Sequence, residues 1–171
     1  MEAFLSPLLR WPIVEDYFRA FAWAWPLNET MHFIGIIFLI GVVFMYDLRL
    51  LGVAKSIPVA SFKRLLPWGV FGFCLVTFSG LMFTTGVYAN ISVDPYTVIT
   101  HDGWLQLKLV FYFLAGINLA VFYASGMARA TDELGAGQDA PPLAKAIAGG
   151  SLFCWVAVMY FGRLIPWGQF S

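Results

Sequence analysis

Histidine is almost missing from this sequence: 171 residues contain two, His32 and His101. Charge is scarce as well. Asp, Glu, Lys and Arg make up 12% of the chain, against roughly a quarter in soluble domains. With 60% hydrophobic residues and a mean hydropathy of +0.77, this excludes an ordinary soluble domain. Ten basic and ten acidic residues cancel, so the chain lacks the basic excess of a nucleic-acid-binding protein. The two cysteines, Cys74 and Cys154, fall inside apolar runs, which argues against a disulfide framework. The opening residues, MEAFLSPLLRWPIVEDY, have no basic region followed by an apolar run and a small-residue cleavage site, so no secretory signal is expected to be removed. Internal repeats, a phosphate loop and a nucleophile–base pair are absent too.

What the chain does have is apolar length and aromatic rings, with 17 Phe, 7 Trp and 7 Tyr. Crossing a bilayer takes about 20 apolar residues per helix, and four runs qualify. They cover about 25–46, 65–88, 103–125 and 143–165. Residues 1–24 precede them as a separate segment in which Phe4, Leu8, Leu9, Trp11, Val14, Phe18 and Phe21 alternate with Arg10, Glu15, Asp16 and Arg19 at helical spacing. Such a stretch is too charged to span and is expected to lie in the interface. The fold expected is an all-α, up-and-down four-helix membrane bundle over 25–171, preceded by this amphipathic helix. Asp94-Pro95 has the form of an N-cap followed by Pro at the first helical position, so the third span has two candidate starts, Pro95 and Gly103. Gly69, Gly72, Gly80 and the Ala146/Gly150 pair permit close helix approach.

Lys and Arg set the orientation. The first and third connections, with the helix ends beside them, carry Arg49, Lys55, Lys63, Arg64, Arg129 and Lys145, whereas the other side has Arg10, Arg19 and Arg163. The positive-inside rule then places both termini outside. Asp47 and Arg49 are expected to pack against Lys63 or Arg64 at the inner rim.

Polar residues concentrate in the opposite half. The first span contributes Glu29 and His32 on one face, and the second Ser79, Gly80, Thr84, Thr85 and Gly86. The third contributes His101, Asp102, Trp104, Lys108 and Tyr112, and the fourth Tyr160 and Arg163. Ionisable groups at membrane depth are costly and mark candidate sites. Lys108 lies about two turns below His101 at ~1.5 Å per residue. In an up-and-down bundle the first and third spans are diagonal, so His32 and His101 are positioned to grip one metal or haem iron from opposite sides. Lys108 and Arg163 would then pair with the propionates, Glu29 or Asp102 would orient an imidazole, and Gly80 and Gly86 would leave room for the ring. The competing reading is a cofactor-free polar cluster in which Glu29 and Asp102 neutralise Lys108 and Arg163. Met31 and Met82 raise copper as a smaller possibility. Asn28-Glu-Thr and Asn90-Ile-Ser match the glycosylation pattern by spacing, and Asn118 is expected to bond a neighbouring helix.

Glu29-Thr-Met-His32, Gly41, Asp47-Leu-Arg-Leu-Leu-Gly52, Leu107-Lys108 and Gly162-Arg-Leu-Ile165 together resemble an uncharacterised bacterial family of four-span membrane proteins. That resemblance implies an inner-membrane location. The arrangement also looks loosely like four-helix membrane cytochromes of the cytochrome b561 kind, which implies haem b and electron transfer between quinol and a periplasmic partner. With two histidines, one bis-histidine haem is the most such a chain can hold. The alternative is a non-catalytic membrane subunit or anchor that binds a partner protein, or less readily a carrier for metal or a small solute.

Overall fold

The computed structural model describes residues 7–167, so Phe4 of the expected amphipathic stretch lies outside the described residues. Helices follow in the order α1 (Pro12–Ala20), α2 (Ala24–Leu51), α3 (Val59–Lys63), α4 (Leu66–Ile91), α5 (Pro95–His101), α6 (Gly103–Ala124), α7 (Met127–Asp132) and α8 (Pro142–Leu164), which ends in a 3₁₀ turn at Ile165–Trp167. No strand occurs among the described residues. The helices α2, α4, α6 and α8 are each long and apolar enough to cross a membrane. The chain is an all-helical, multi-pass membrane protein. Its exposed Phe33, Ile37, Val70, Phe113, Ile117 and Phe153 are the apolar surface that meets lipid.

The bundle is built from two hairpins. Within each, α2 packs closely on α4 and α6 on α8, while α2 against α8 joins the pairs. Glycine sets the first contact. A methyl added at Gly72 would stand 2.5 Å from the Leu39 amide nitrogen and 2.7 Å from the Gly35 carbonyl oxygen, so the backbones touch where side chains are missing. In the second hairpin the Asn118 amide donates to the Ile147 carbonyl at 3.1 Å, the interhelical bond expected. Across the hairpins, α4 and α6 meet through longer groups: the Thr77 and Tyr112 hydroxyls are 2.9 Å apart and Phe73 stacks on Tyr112. Leu39, Ala115, Cys154, Trp155 and Val158 fill the centre.

The basic end is sealed differently from the expectation. The first span does not stop at Tyr46 but runs on to Leu51, where Gly52 takes φ +104°. There the Gly52 amide bonds the Arg49 carbonyl and the Val53 amide the Leu48 carbonyl, the paired closure that an αL glycine allows. The extension carries Asp47 and Arg49 into the interior, at 7% and 1% exposure. Neither pairs with Lys63 or Arg64. Arg49 instead donates to the carbonyls of Ile57 at 2.6 Å, Gly135 at 3.0 Å and Gln138 at 3.2 Å, and Asp47 lies beside Ser151 of α8. Backbone carbonyls outcompete the carboxylates because the guanidinium fork can satisfy several at once. Lys63 pairs with Asp132, and Asp139 takes both Lys55 at 3.0 Å and Lys145 at 2.7 Å. Lys145 first, then Lys55, hold the Asp139 carboxyl down at about 2. These exposed bridges are screened by salt.

At the other end α1 folds back on α4. Phe18 and Val14 cover Gly86, where a methyl would stand 2.5 Å and 2.9 Å from them. Glu15 is 3% exposed and receives Arg10 in a fork, Nε to Oε1 at 2.7 Å and Nη2 to Oε2 at 2.8 Å. The Arg10 guanidinium also sits 3.9 Å above the Tyr88 ring, a cation–π contact. The hydrogen bond from Arg10 lowers the Glu15 pKa from its ordinary value, more than its burial raises it. A carboxyl depressed in the folded state contributes stability that is complete above its unfolded pKa and lost as pH falls through the folded one. Hydrogen exchange of the α1 amides, corrected for intrinsic rate, is therefore expected to be flat from pH 7 to 5. It should rise below about pH 4, and Glu15→Gln should remove that pH dependence.

Candidate functional site

Each hairpin contributes one nitrogen base, and each base rests on a glycine of the neighbouring helix. His32 of α2 leans on α4. Its Nδ1 is 2.8 Å from Ser79 Oγ, its ring meets Phe83 edge-on at 5.6 Å, and its Cε1 lies over Gly80, where a methyl would stand 3.8 Å away. Lys108 of α6 lies along α8, its Cδ, Cε and Nζ each 3.4 Å from the place of a Gly162 methyl. The ammonium stands near enough to His32 for its charge to act on the imidazole.

Serine fixes the state of the histidine. Ser79 Oγ lies 2.7 Å from the Leu75 carbonyl and 3.2 Å from that of Val76. A hydroxyl has one hydrogen, and it goes to those carbonyls as helical serines commonly arrange. Towards His32 the oxygen therefore accepts, so Nδ1 carries the ring proton and Nε2 keeps its lone pair. Among the described residues no side chain hydrogen-bonds Nε2. Lys108 is likewise without a hydrogen bond or ion pair among the described residues.

The other expected site residues lie elsewhere. His101 ends the short helix α5, exposed, with Nδ1 2.7 Å from Thr100 Oγ1, and makes no ring contact with His32. Of the two candidate starts of the third span, Gly103 is the one the spanning helix takes, and Pro95 opens the separate short helix α5. Asp94 caps α5 through the Tyr96 amide at 2.9 Å, and Asp102 caps α6 through the amides of Trp104 and Leu105 at 2.9 and 3.1 Å. Capping occupies Asp102, and Glu29 is exposed, so neither neutralises Lys108 or Arg163. Arg163 is exposed and lies 5.6 Å from the Trp167 ring centre. Gly86 leaves no open space for a ring, because Phe18 and Val14 fill it. Among the described residues no group of three His, Cys, Asp or Glu side chains converges as a metal site.

Asn28 is the residue the sequence reading left out of the site. It is 2% exposed, not presented for glycosylation, and its amide donates to the Ser79 carbonyl at 3.0 Å. Ser79 thus touches both Asn28 and His32. Beside Asn28, a half-open groove of about 200 Å³ is lined by Tyr17, Ala24, Leu27, Met31, Phe78 and Met82. The helical offset of four between Asn28 and His32 was the available signal, since it puts both on the face that meets α4. Comparison with protein-family models, characterised proteins and solved structures finds no match to the chain.

Proposed function

We propose that this chain is a membrane electron-transfer protein that binds a single b-type haem, which His32 would ligate. The observation that carries this reading is the committed hydrogen of Ser79. It leaves His32 with a fixed tautomer and an unshared Nε2 lone pair, the donor chemistry haem iron takes from histidine. Lys108 supplies a compact unpaired cation beside it, suited to a propionate carboxylate. On donor chemistry the residues fit the group. Haem bound there would supply one-electron transfer.

The protein's own part is positioning. Ser79 orients the imidazole, Phe83 limits its rotation, and Gly80 and Gly162 let the two bases lie close against the neighbouring helices. Lys108 balances negative charge in a setting that holds little water. The basic end of the bundle favours the cytoplasmic side of a bacterial inner membrane, which puts α1 and His32 towards the periplasm. Quinol in the membrane and a periplasmic acceptor are the partners this placement suits.

The experiment is a reduced-minus-oxidised absorption spectrum of protein purified after haem-sufficient expression. A b-type signature at one haem per chain is expected. Lys108→Met should lower haem retention, and Lys108→Arg should restore it if the ammonium acts as a charge partner. A colourless preparation would retire the proposal.

A further inference from the structure

The lipid-facing side of the first hairpin is not smooth. Ile37, Gly41 and Met45 recur every four residues along one stripe of α2, and with Leu65 and Trp68 at the start of α4 they line a half-open groove of about 440 Å³. Nothing lies within 4 Å of the place a Gly41 methyl would take, so the backbone of α2 is bare there. The lining is apolar apart from the Trp68 indole N–H. From Ile37 to Met45 the groove follows α2 for about 12 Å at ~1.5 Å per residue. The hydrocarbon of one leaflet is about 15 Å deep, half of a ~30 Å core, so an extended acyl chain matches both the length and the openness.

Charge lies at one end of this groove. Met45 and Leu65 face the basic end of the bundle, and Arg64 directly precedes Leu65. Asp132 takes Lys63, and Asp139 takes Lys55 and Lys145. Arg64 is exposed and has neither a hydrogen bond nor an ion pair among the described residues. Trp68 is 54% exposed, its ring stacks on Phe38 at 5.5 Å, and its N–H has no acceptor among the described residues. Two donors without a protein partner thus lie within four residues of each other. One is a guanidinium shaped for phosphate, and the other an indole, the ring that favours the membrane interface.

We propose that this groove holds one acyl chain of an anionic phospholipid whose phosphate is bound by Arg64. The headgroup follows from charge: a guanidinium in the interface with no carboxylate of its own pairs with the negative group that the bilayer supplies there. The Trp68 N–H can donate to an ester carbonyl below that phosphate. A zwitterionic lipid fills the groove equally well with its chain, but its ammonium competes with Arg64 for the phosphate. Free phosphate reaches Arg64 and leaves the groove unused. Neither His32 nor Ser79 takes part, so the site stands apart from the haem reading.

The test is native mass spectrometry of the full-length protein released from mixed micelles that contain dioleoylphosphatidylglycerol and dioleoylphosphatidylcholine in equal amounts. The wild type is expected to retain phosphatidylglycerol about fivefold in preference to phosphatidylcholine, the scale of one basic side chain at an anionic lipid surface. Arg64→Gln should bring the two lipids to parity. Arg129→Gln, which removes an exposed charge from a helix that does not line the groove, should leave the preference in place. Gly41→Leu, which fills the groove from a position with open space around it, should lower retention of both lipids. Excess inorganic phosphate should not displace the retained lipid. Parity in the wild type would overturn the inference. So would a preference that survives Arg64→Gln, falls equally with Arg129→Gln or yields to inorganic phosphate. Unchanged retention in Gly41→Leu would remove the acyl-chain site as well.

Discussion

Replacing His32 by alanine is expected to abolish the b-type difference spectrum completely, and replacing His101 by alanine to leave it in place. The contrast follows from side-chain environment. His32 is oriented by Ser79 and shielded by Phe83, so its nitrogen is presented at no further conformational cost. His101 is exposed at the end of α5 and bonded to Thr100. Recruiting it would require α5 to move relative to Asp102, whose carboxylate holds the first turn of α6. The measurement is haem stoichiometry by pyridine haemochrome, with circular dichroism to confirm that each variant retains its helices. Loss of haem in both variants would restore the bis-histidine pair expected from the sequence. Ser79→Ala is the finer probe: removing the acceptor frees the tautomer without removing the ligand, so the signal should broaden or shift in potential.

The second large effect concerns the first hairpin. Gly72→Leu is expected to separate α2 from α4, since even a methyl there would stand 2.5 Å from the Leu39 nitrogen and 2.7 Å from the Gly35 oxygen. Both neighbours are backbone atoms and cannot rotate away. The cost should reach or exceed the usual ~1–3 kcal/mol of overpacking, measured by reversible unfolding in mixed micelles. Gly41→Ala and Gly116→Ala are the controls. Nothing lies within 4 Å of a methyl at either position, so both are expected to be neutral or to stabilise by up to about 1 kcal/mol, the helix-propensity difference between Gly and Ala. Damage equal to that at Gly72 would show that the effect comes from composition and not from the crossing.

The spans were legible in the sequence because the hydrocarbon thickness fixes both their length and their polarity. The cap at Asp94 was legible for a local reason, since its partner amide is two residues away, whereas Asp102, expected to orient an imidazole or neutralise a cation, caps α6 instead. Lys108 stood out as an ion at membrane depth. What the sequence concealed were bonds between distant positions. Arg49 looked like a rim charge because its acceptors are carbonyls, and every residue has one. Asn28 showed only a chance match to the glycosylation spacing because its burial depends on α4, and the proton on His32 depends on Ser79, 47 positions away. Gly80 and Gly86 were equivalent on paper. Only the return of α1 distinguishes them, by covering one and not the other.

Arg49 also has a temporal consequence. Two of the oxygens that receive it belong to residues 86 and 89 positions downstream. At about 5–20 residues per second of synthesis, the first hairpin waits roughly 4–17 s before those acceptors exist. During that interval the guanidinium must stay hydrated at the membrane surface, so the end of α2 cannot settle into its mature position. The segment between α6 and α8 is thus expected to act as a latch that closes late and completes the seating of α2.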